Sequence, residues 1–183
     1  YITSLAEDNR GRLWISSGGG GVAVFDGEAL QTLSVADGLL SNTVNRVLGD
    51  DNGDIWIATN NGINIYSPNK ESPSVSIVEV VADQLYDGSE IVSLPSSQEF
   101  ISVKFKGAGF KTRAEHMKYA YRYRSANDAQ VPWNVIENDF VELTDLSIGD
   151  FIFEVKAIDR DLNYSAIPAT VNISVEPPYT KIF

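Results

Sequence analysis

The chain contains no cysteine, so neither a disulfide nor a thiolate metal site can form from it. That absence leaves the compartment open, because cytoplasmic and cell-envelope proteins alike do without cysteine. One histidine, His116, with no nucleophile-elbow signature argues against a Ser–His type triad. No apolar run approaches the roughly 18 residues that span a bilayer. Basic residues are few, 14 against 25 acidic ones, and the net charge is −11. A surface of that sign repels nucleic acids and anionic membranes alike. An initiating Met and a signal peptide are also missing, and Tyr1 opens inside a repeated segment. The chain therefore reads as an excerpt of a longer protein.

Helical periodicity is equally scarce. Alternating apolar patterns and turn signals take its place, which predicts an all-β fold. Two segments repeat 42 positions apart. Ile2 to Ser17 and Val44 to Thr59 keep Asp8/Asp50, Gly11/Gly53 and Trp14/Trp56 in register. A repeat of roughly 40–50 residues marks small sheets that cannot bury their own faces and must stack, as propeller blades do. Each repeat reads as strand, tight turn, strand, glycine turn, strand. The first gives Ile2–Leu5, Leu13–Ile15 and Val22–Phe25; the second gives Val44–Leu48, Ile55–Ile57 and Ile63–Tyr66. Leu30–Leu33 supplies a fourth strand between the copies, and Gly18 to Gly21 makes the first glycine turn one residue longer than Asn60-Asn61-Gly62.

A polar segment with two prolines, Ser67 to Pro73, marks a boundary. Residues 1–68 form a partial propeller of two repeats, about 1–43 and 44–68. Residues 73–178 show about seven strands at the spacing of an immunoglobulin- or fibronectin-like sandwich. These are Val75–Val81, Ile91–Leu94, Phe100–Lys106, Lys118–Arg124, Phe140–Leu143, Phe151–Ala157 and Thr170–Val175. Alternation puts Ile101, Val103 and Phe105 on one face, and likewise Tyr119, Tyr121 and Tyr123, and Phe151, Phe153, Val155 and Ala157. Residues 179–183 form a tail.

Candidate chemistry is thin. Asp50-Asp-Asn-Gly-Asp54 meets half of a Ca²⁺ loop template but has Asn61 where a bidentate Glu is needed, so a hairpin turn whose Asp caps its own backbone is the better reading. Gly18 to Gly21 lead into a strand rather than a helix, which excludes a phosphate cradle. His116 reads as a surface residue. The pairs Asp159/Asp161 and Glu137/Asp139 read as solvated loop acids without a pocket to separate their pKa values. Half of the basic residues fall between Lys104 and Arg124, and Lys104/Lys106 and Arg122/Arg124 lie on sheet exteriors by alternation. Glu154 alternates the same way, so a cross-strand ion pair with Arg122/Arg124, worth a fraction of a kcal/mol, is expected. A dimer or inter-domain contact is the functional alternative. Trp14 and Trp56 could stack on sugars, but matched positions favour packing between blades. Trp133 reads as sandwich core or its rim.

The pattern Glu7-Asp-x-x-Gly11-x-Leu-Trp14-Ile-x-Ser and its second copy, Asp50-x-x-Gly53-x-Ile-Trp56-Ile-x-Thr-x-x-Gly62-Ile, resemble the two-component regulator propeller repeat. The connector Asp37-Gly38-Leu39-x-x-Asn42-x-Val44 fits that resemblance. The second part resembles the triple-tyrosine domain that follows such propellers in bacterial membrane sensors. The matching pieces are Tyr119-x-Tyr121-Arg-Tyr123, Trp133, Leu146-x-x-Gly149-Asp-Phe151-x-Phe153-x-Val-x-Ala157 and Pro177-Pro178. Phe151 stands where that family usually has a tyrosine, and Phe140 at another common aromatic position. Such a change keeps bulk and loses a hydroxyl, which touches a buried hydrogen bond more than the fold.

The resemblance implies the periplasmic, membrane-proximal sensory region of a transmembrane receptor. Its propeller receives a signal and its sandwich relays a change in dimer geometry to a cytoplasmic output. That output is commonly a histidine kinase and alternatively a diguanylate cyclase. A homodimeric parent and an oligosaccharide ligand are implied, with membrane contact only through segments outside this chain, toward which 179–183 would lead. No catalytic residue, cofactor or metal is expected, and ligand-binding residues are not identifiable. A carbohydrate-binding module of a secreted enzyme or adhesin is the reading from another class. Two blades cannot close a propeller, which takes at least four. The stack should therefore expose a face and edge strands, leaving 1–68 marginal alone or buried against another copy.

Overall fold

The structure is a computed structural model that describes residues 1–88, 91–128 and 130–178. The expected tail at 179–183 lies outside the described residues. The chain divides into two compact units, one made of residues 1–71 with 160–163, the other of 72–159 with 164–183. Both are built of β-strands, as the alternation requires.

In the first unit β1 (Ile2–Glu7), β2 (Leu13–Ser17), β3 (Val22–Phe25) and β4 (Leu30–Leu33) form an antiparallel meander. A second meander holds β5 (Val44–Gly49), β6 (Ile55–Thr59) and β7 (Gly62–Tyr66). The internal likeness reaches irregularities. A bulge breaks the β1–β2 register between Ile2 and Ser4, and another breaks β5–β6 between Val44 and Arg46, 42 positions on. Trp14 faces Val24 across its hairpin and Trp56 faces Ile65, so the first glycine turn is one residue longer, as its four glycines suggest.

Between the sheets, Ser34 and Asp37 cap a 3₁₀ turn over Val35–Asp37, closed by Gly38 at φ 102°. Asn64 ties this connector to β7: its carbonyl accepts from Leu40 N–H at 3.0 Å and its amide donates to Gly38 O at 3.1 Å. The connector thereby fixes how the second sheet lies on the first.

One face of the first sheet, here the front, is buried: Trp14, Val22, Val24 and Leu33 are each at most 2% exposed. The back of the second sheet is buried equally, through Val44, Val47, Ile55 and Ile57. Polar joints stitch the two together. Thr3 Oγ1 donates to Val44 O at 2.6 Å, Val47 N–H donates to Ser4 Oγ at 2.9 Å, and the Trp14 ring lies 6.0 Å from Tyr66. These are two blade-like sheets stacked front to back, and the described residues contain no closed propeller.

The second unit is an immunoglobulin-like sandwich. One sheet runs β10 (Val92–Pro95), β16 (Ala169–Glu176), β15 (Gly149–Ile158), β12 (Lys118–Ser125), β13 (Asn134–Ile136). The facing sheet runs β14 (Phe140–Thr144), β11 (Phe100–Ala108), β8 (Ser74–Val81), β9 (Leu85–Asp87). Sequence reading misses β9 and β13, because three residues are too few to show alternation. It also cannot show that β10 pairs with β16 in parallel.

The three tyrosines point inward, as alternation requires, but their settings differ. Each of two stacks diagonally on a phenylalanine of β15: Tyr121 on Phe153 at 5.8 Å and Tyr123 on Phe151 at 4.9 Å. Tyr119 meets Phe105 edge-on at 4.7 Å, and its hydroxyl accepts the Gly107 N–H at 3.0 Å. Gly107 has no alternative there, since a Cβ would come within 2.9 Å of the Ala157 Cβ. The Tyr123 hydroxyl is buried with no hydrogen-bond partner among the described residues, and burial pushes its pKa up to about 12. The ring beside it is Phe151, the position where the resemblance leads one to expect a second hydroxyl.

The tyrosines should therefore respond differently to loss of the hydroxyl. Tyr119→Phe leaves the buried Gly107 N–H unpaired and should cost about 1–3 kcal/mol in urea unfolding. Tyr123→Phe removes an unsatisfied group and should leave the midpoint unchanged or raise it. Equal losses for the two variants would contradict this account.

Candidate functional site

The repeated motif builds one device twice. In the first hairpin, Asp8 Oδ1 accepts the backbone N–H groups of Arg10 and Arg12 at 2.9 and 3.0 Å. Its Oδ2 accepts the Trp14 indole N–H at 2.8 Å and Arg12 Nε at 2.7 Å. Gly11 takes φ +77°, which closes the turn. In the second, Asp50 Oδ1 accepts from Asn52 and Asp54 N–H, and Oδ2 accepts the Trp56 indole N–H at 3.0 Å, with Gly53 at φ +88°.

Burial alone would raise the Asp8 pKa. Donation from Trp14 and the turn amides, with the Arg12 charge, outweighs it and holds the carboxyl below its usual value. For Asp50 the Trp56 donation is the chief cause of a lowered pKa. Both carboxylates are thus committed to their own turns, as a capping Asp should be, and a cation at Asp50–Asp54 would have to displace those donors. Among the described residues no group of three or more side chains is placed to hold a metal.

The two tryptophans differ in surroundings. Trp14 is 1% exposed and packs between the sheets. Trp56 is 42% exposed. Among the described residues no sheet lies against the front of the second sheet.

The acid pair Asp159/Asp161 needs correction, since both residues are buried rather than solvated. Residues 160–163 follow β15 in the chain, yet they belong to the first compact unit. There Asp161 Oδ1 accepts from the Tyr66 hydroxyl and Oδ2 accepts from Asn69 N–H at 2.8 Å. Its carbonyl accepts Arg12 Nη1 at 2.6 Å. Arg10 Nη2 donates to Asn163 Oδ1 at 2.9 Å, whose amide donates to Asn69 O at 3.0 Å. Arg160 lies 3.6 Å from Asp37 and 5.5 Å from the Tyr66 ring centre. Burial, then the Asp161 charge, pushes the Tyr66 pKa up, so this phenol stays protonated and serves as a donor. The cluster is a charge-compensated lock, with no activated nucleophile in it.

In the sandwich, Arg122 Nε and Arg124 Nε both donate to Glu154 Oε2, at 2.6 and 2.7 Å. The cross-strand pair is present, but all three side chains are largely buried. Removing one partner should therefore cost more than the fraction of a kcal/mol expected for a solvated pair. Trp133 takes the rim, beneath Arg122 at 4.5 Å and Lys156 at 4.7 Å from its ring centre. Glu137 is exposed and pairs with Lys118 at 2.8 Å, and His116 ends a 3₁₀ turn over Ala114–His116. Gly62 opens β7 and Gly149 opens β15, both at positive φ.

Sequence reasoning missed the Asp-to-Trp clasp, although the hairpin register contains its signal. A residue just before a tight turn and one six positions later lie on adjacent strands, close enough for an indole to reach a carboxylate. The Asp161–Tyr66 lock had no such signal, because 95 residues separate its partners.

Residues 1–19 and 38–61 match the two component regulator propeller family. Both Asp–Gly–Trp turns fall inside the matched segments. Across 96% of its length the chain is 24% identical to histidine kinase P4 of Formosa agariphila, of which it spans 14%. It also aligns over 97% of its length with a crystal structure of the extracellular domain of BT3049 from B. thetaiotaomicron, described as a hybrid two-component system. The TM-score is 0.58, the identity 20%, and 26% of that chain is covered, so the two share a fold. The chain thus spans about a seventh of one relative and a quarter of the other. Both repeats thus match the regulator-propeller family, and the chain shares its fold with that extracellular domain. Among the described residues no helix is long and apolar enough to cross a membrane.

Because the folded-state pKa of Asp8 lies below its unfolded value, its contribution to stability is complete above the unfolded pKa. It is lost as pH falls below the ordinary carboxylate range and through the lowered folded pKa. Asp8→Asn should flatten the acid side of a stability–pH profile. Asp8→Ala, which strands Arg12, should cost about 3–5 kcal/mol at neutral pH. Asp50→Ala should cost less, since among the described residues no arginine pairs with Asp50.

Proposed function

We propose that this chain is part of the extracytoplasmic sensor region of a bacterial transmembrane two-component receptor. In this reading the propeller-repeat unit receives the signal and the sandwich relays it to an output module elsewhere in the receptor. The observation that carries the reading is the match of both repeats to the regulator-propeller family, centred on turns whose Asp, Gly and Trp all serve structure. Support comes from a relative printed as a histidine kinase and a fold shared with an extracellular domain.

The relay part is supported by connectivity. The chain passes between the two compact units three times, near residues 71, 159 and 163. Residues 160–163, which carry Asp161, lie in the chain between β15 and β16. A homodimeric parent, periplasmic placement and the absence of catalysis in this segment belong to the proposal, which assigns no ligand.

Fusing alkaline phosphatase after Phe183 in the natural gene tests the placement. Enzyme activity in intact cells is expected, and an inactive reporter paired with a fluorescent cytoplasmic fusion would overturn it. The output is tested on the full-length receptor. Autophosphorylation from labelled ATP is expected, whereas cyclic di-GMP formed from GTP would assign it to the cyclase class instead.

A further inference from the structure

Unequal strand lengths open a groove in the sandwich. β11 runs on to Ala108, but its neighbour β14 starts only at Phe140, opposite Lys104. Beyond that point Phe105 N–H still reaches Asp139 O at 2.9 Å, and Gly107 N–H turns to the Tyr119 hydroxyl instead of a strand. On the other side, β8 carries an unopposed residue, Val78, because Ile77 and Glu79 face the adjacent residues Phe105 and Lys104. A bulge of this kind re-aims a side chain. The result is a groove of about 490 Å³ at the end of β11, bounded by residues of the turn at Ala114–His116 and of the loop 137–139.

The lining combines an apolar floor with both signs of charge. Phe105, Met117 and Tyr119 are buried, and the exposed Val78 lies beside them. Lys104 and Lys106 come from β11, while Glu115, Glu137 and Asp139 come from the turn and the loop. No ion pair joins the two sets. Lys104 pairs with Glu79 at 3.8 Å, Glu115 with Arg113 at 3.9 Å and Glu137 with Lys118 at 2.8 Å. Lys106 and Asp139 are exposed, and neither side chain has an ionic or hydrogen-bond partner among the described residues. The Tyr119 hydroxyl accepts from Gly107 and donates to no described residue. Burial first, and the Asp139 charge after it, raise its pKa, so its proton is held for donation.

We propose that this groove binds a zwitterion of dipeptide size, with its carboxylate on Lys106, its ammonium on Asp139 and an apolar side chain on the Phe105–Met117 floor. Opposite charges that share a groove without meeting are bridged by a ligand that carries both. A dipeptide parts its charged ends by up to about 7 Å, whereas a single amino acid holds both on one carbon. A mostly apolar cleft with a few placed polar groups is the usual form of a small-molecule site. The net charge of −11 repels anions, but a zwitterion carries no net charge to be repelled. The inference rests on the sandwich alone and does not depend on the receptor reading.

Met117 is the only methionine, so an isotope-labelled methionine methyl gives one NMR signal from the groove floor of the 183-residue chain. Titration with L-alanyl-L-phenylalanine should shift that signal saturably, with a dissociation constant at or below about 1 mM. Acetylating the peptide's amine or amidating its carboxylate should each weaken binding about ten-fold. Lys106→Gln should abolish the preference for the free carboxylate over the amide and keep the preference for the free amine. Asp139→Asn should do the reverse. Both side chains are exposed and unpaired, and the blocked peptides on the wild-type chain carry the test should either variant fail to fold. An unmoved Met117 signal, a response indifferent to blocking of the peptide's ends, or end preferences that neither variant alters would each overturn the proposal.

Discussion

A β-sheet of three or four strands has two faces, and its hydrogen bonds satisfy neither of them. Everything in the first unit follows from that constraint. The sheets can keep apolar side chains on both sides only if another layer lies on each, and the front-to-back contact supplies one such layer. Fully burying a large apolar side chain is worth about 1.5–3 kcal/mol, and this contact buries Trp14, Val24, Ile55 and Ile57. Its geometry depends on the hairpin turns, because Asp8 fixes both the turn and the Trp14 ring through one carboxylate. A turn residue therefore sets the shape of an inter-sheet surface. That coupling explains why Asp, Gly and Trp recur together at fixed spacing instead of varying independently.

The sandwich meets the same constraint in the usual way, with two sheets closing on each other. Its aromatic core adds a distinction that the motif alone hides. Tyr119 supports a backbone group at the one place where a glycine lets the strand approach, while Tyr123 holds a hydroxyl in the core with nothing to receive it. Phe151 stacked on Tyr123 keeps the ring contact. Aromatic bulk and hydrogen bonding are separate requirements on β12, and only the first is met at every position.

How far the sequence could be read depended on the range of the interaction concerned. Strands of four or more residues, the turns around Gly11 and Gly53 and the inward tyrosines all follow from local pattern, and each is present. Short strands such as Leu85–Asp87 carry too few residues for a period. For Trp56 the repeat reports what the residue can pack against, while burial depends on whether the next layer lies among the described residues, and here it does not. Asp161 was misjudged because two acids in a loop look alike in sequence, whether water or a tyrosine and a backbone amide surround them. The pairing of Asp161 with Tyr66 is a property of the tertiary fold, and nothing within ten residues of either one encodes it.

The acidic balance of the chain takes on a different meaning once the carboxylates are located. Asp8, Glu154 and Asp161 are buried, and each accepts from an arginine, a tyrosine, a tryptophan or backbone amides. Acids satisfied in this way are poor catalysts, because their ionised form is already stabilised and their geometry is taken up by structural donors. Among the exposed faces of the first unit are apolar ones: the Leu48–Trp56–Ile65 row and the Ile2–Leu5 face. The buried charges of this chain build turns and lock loops in place.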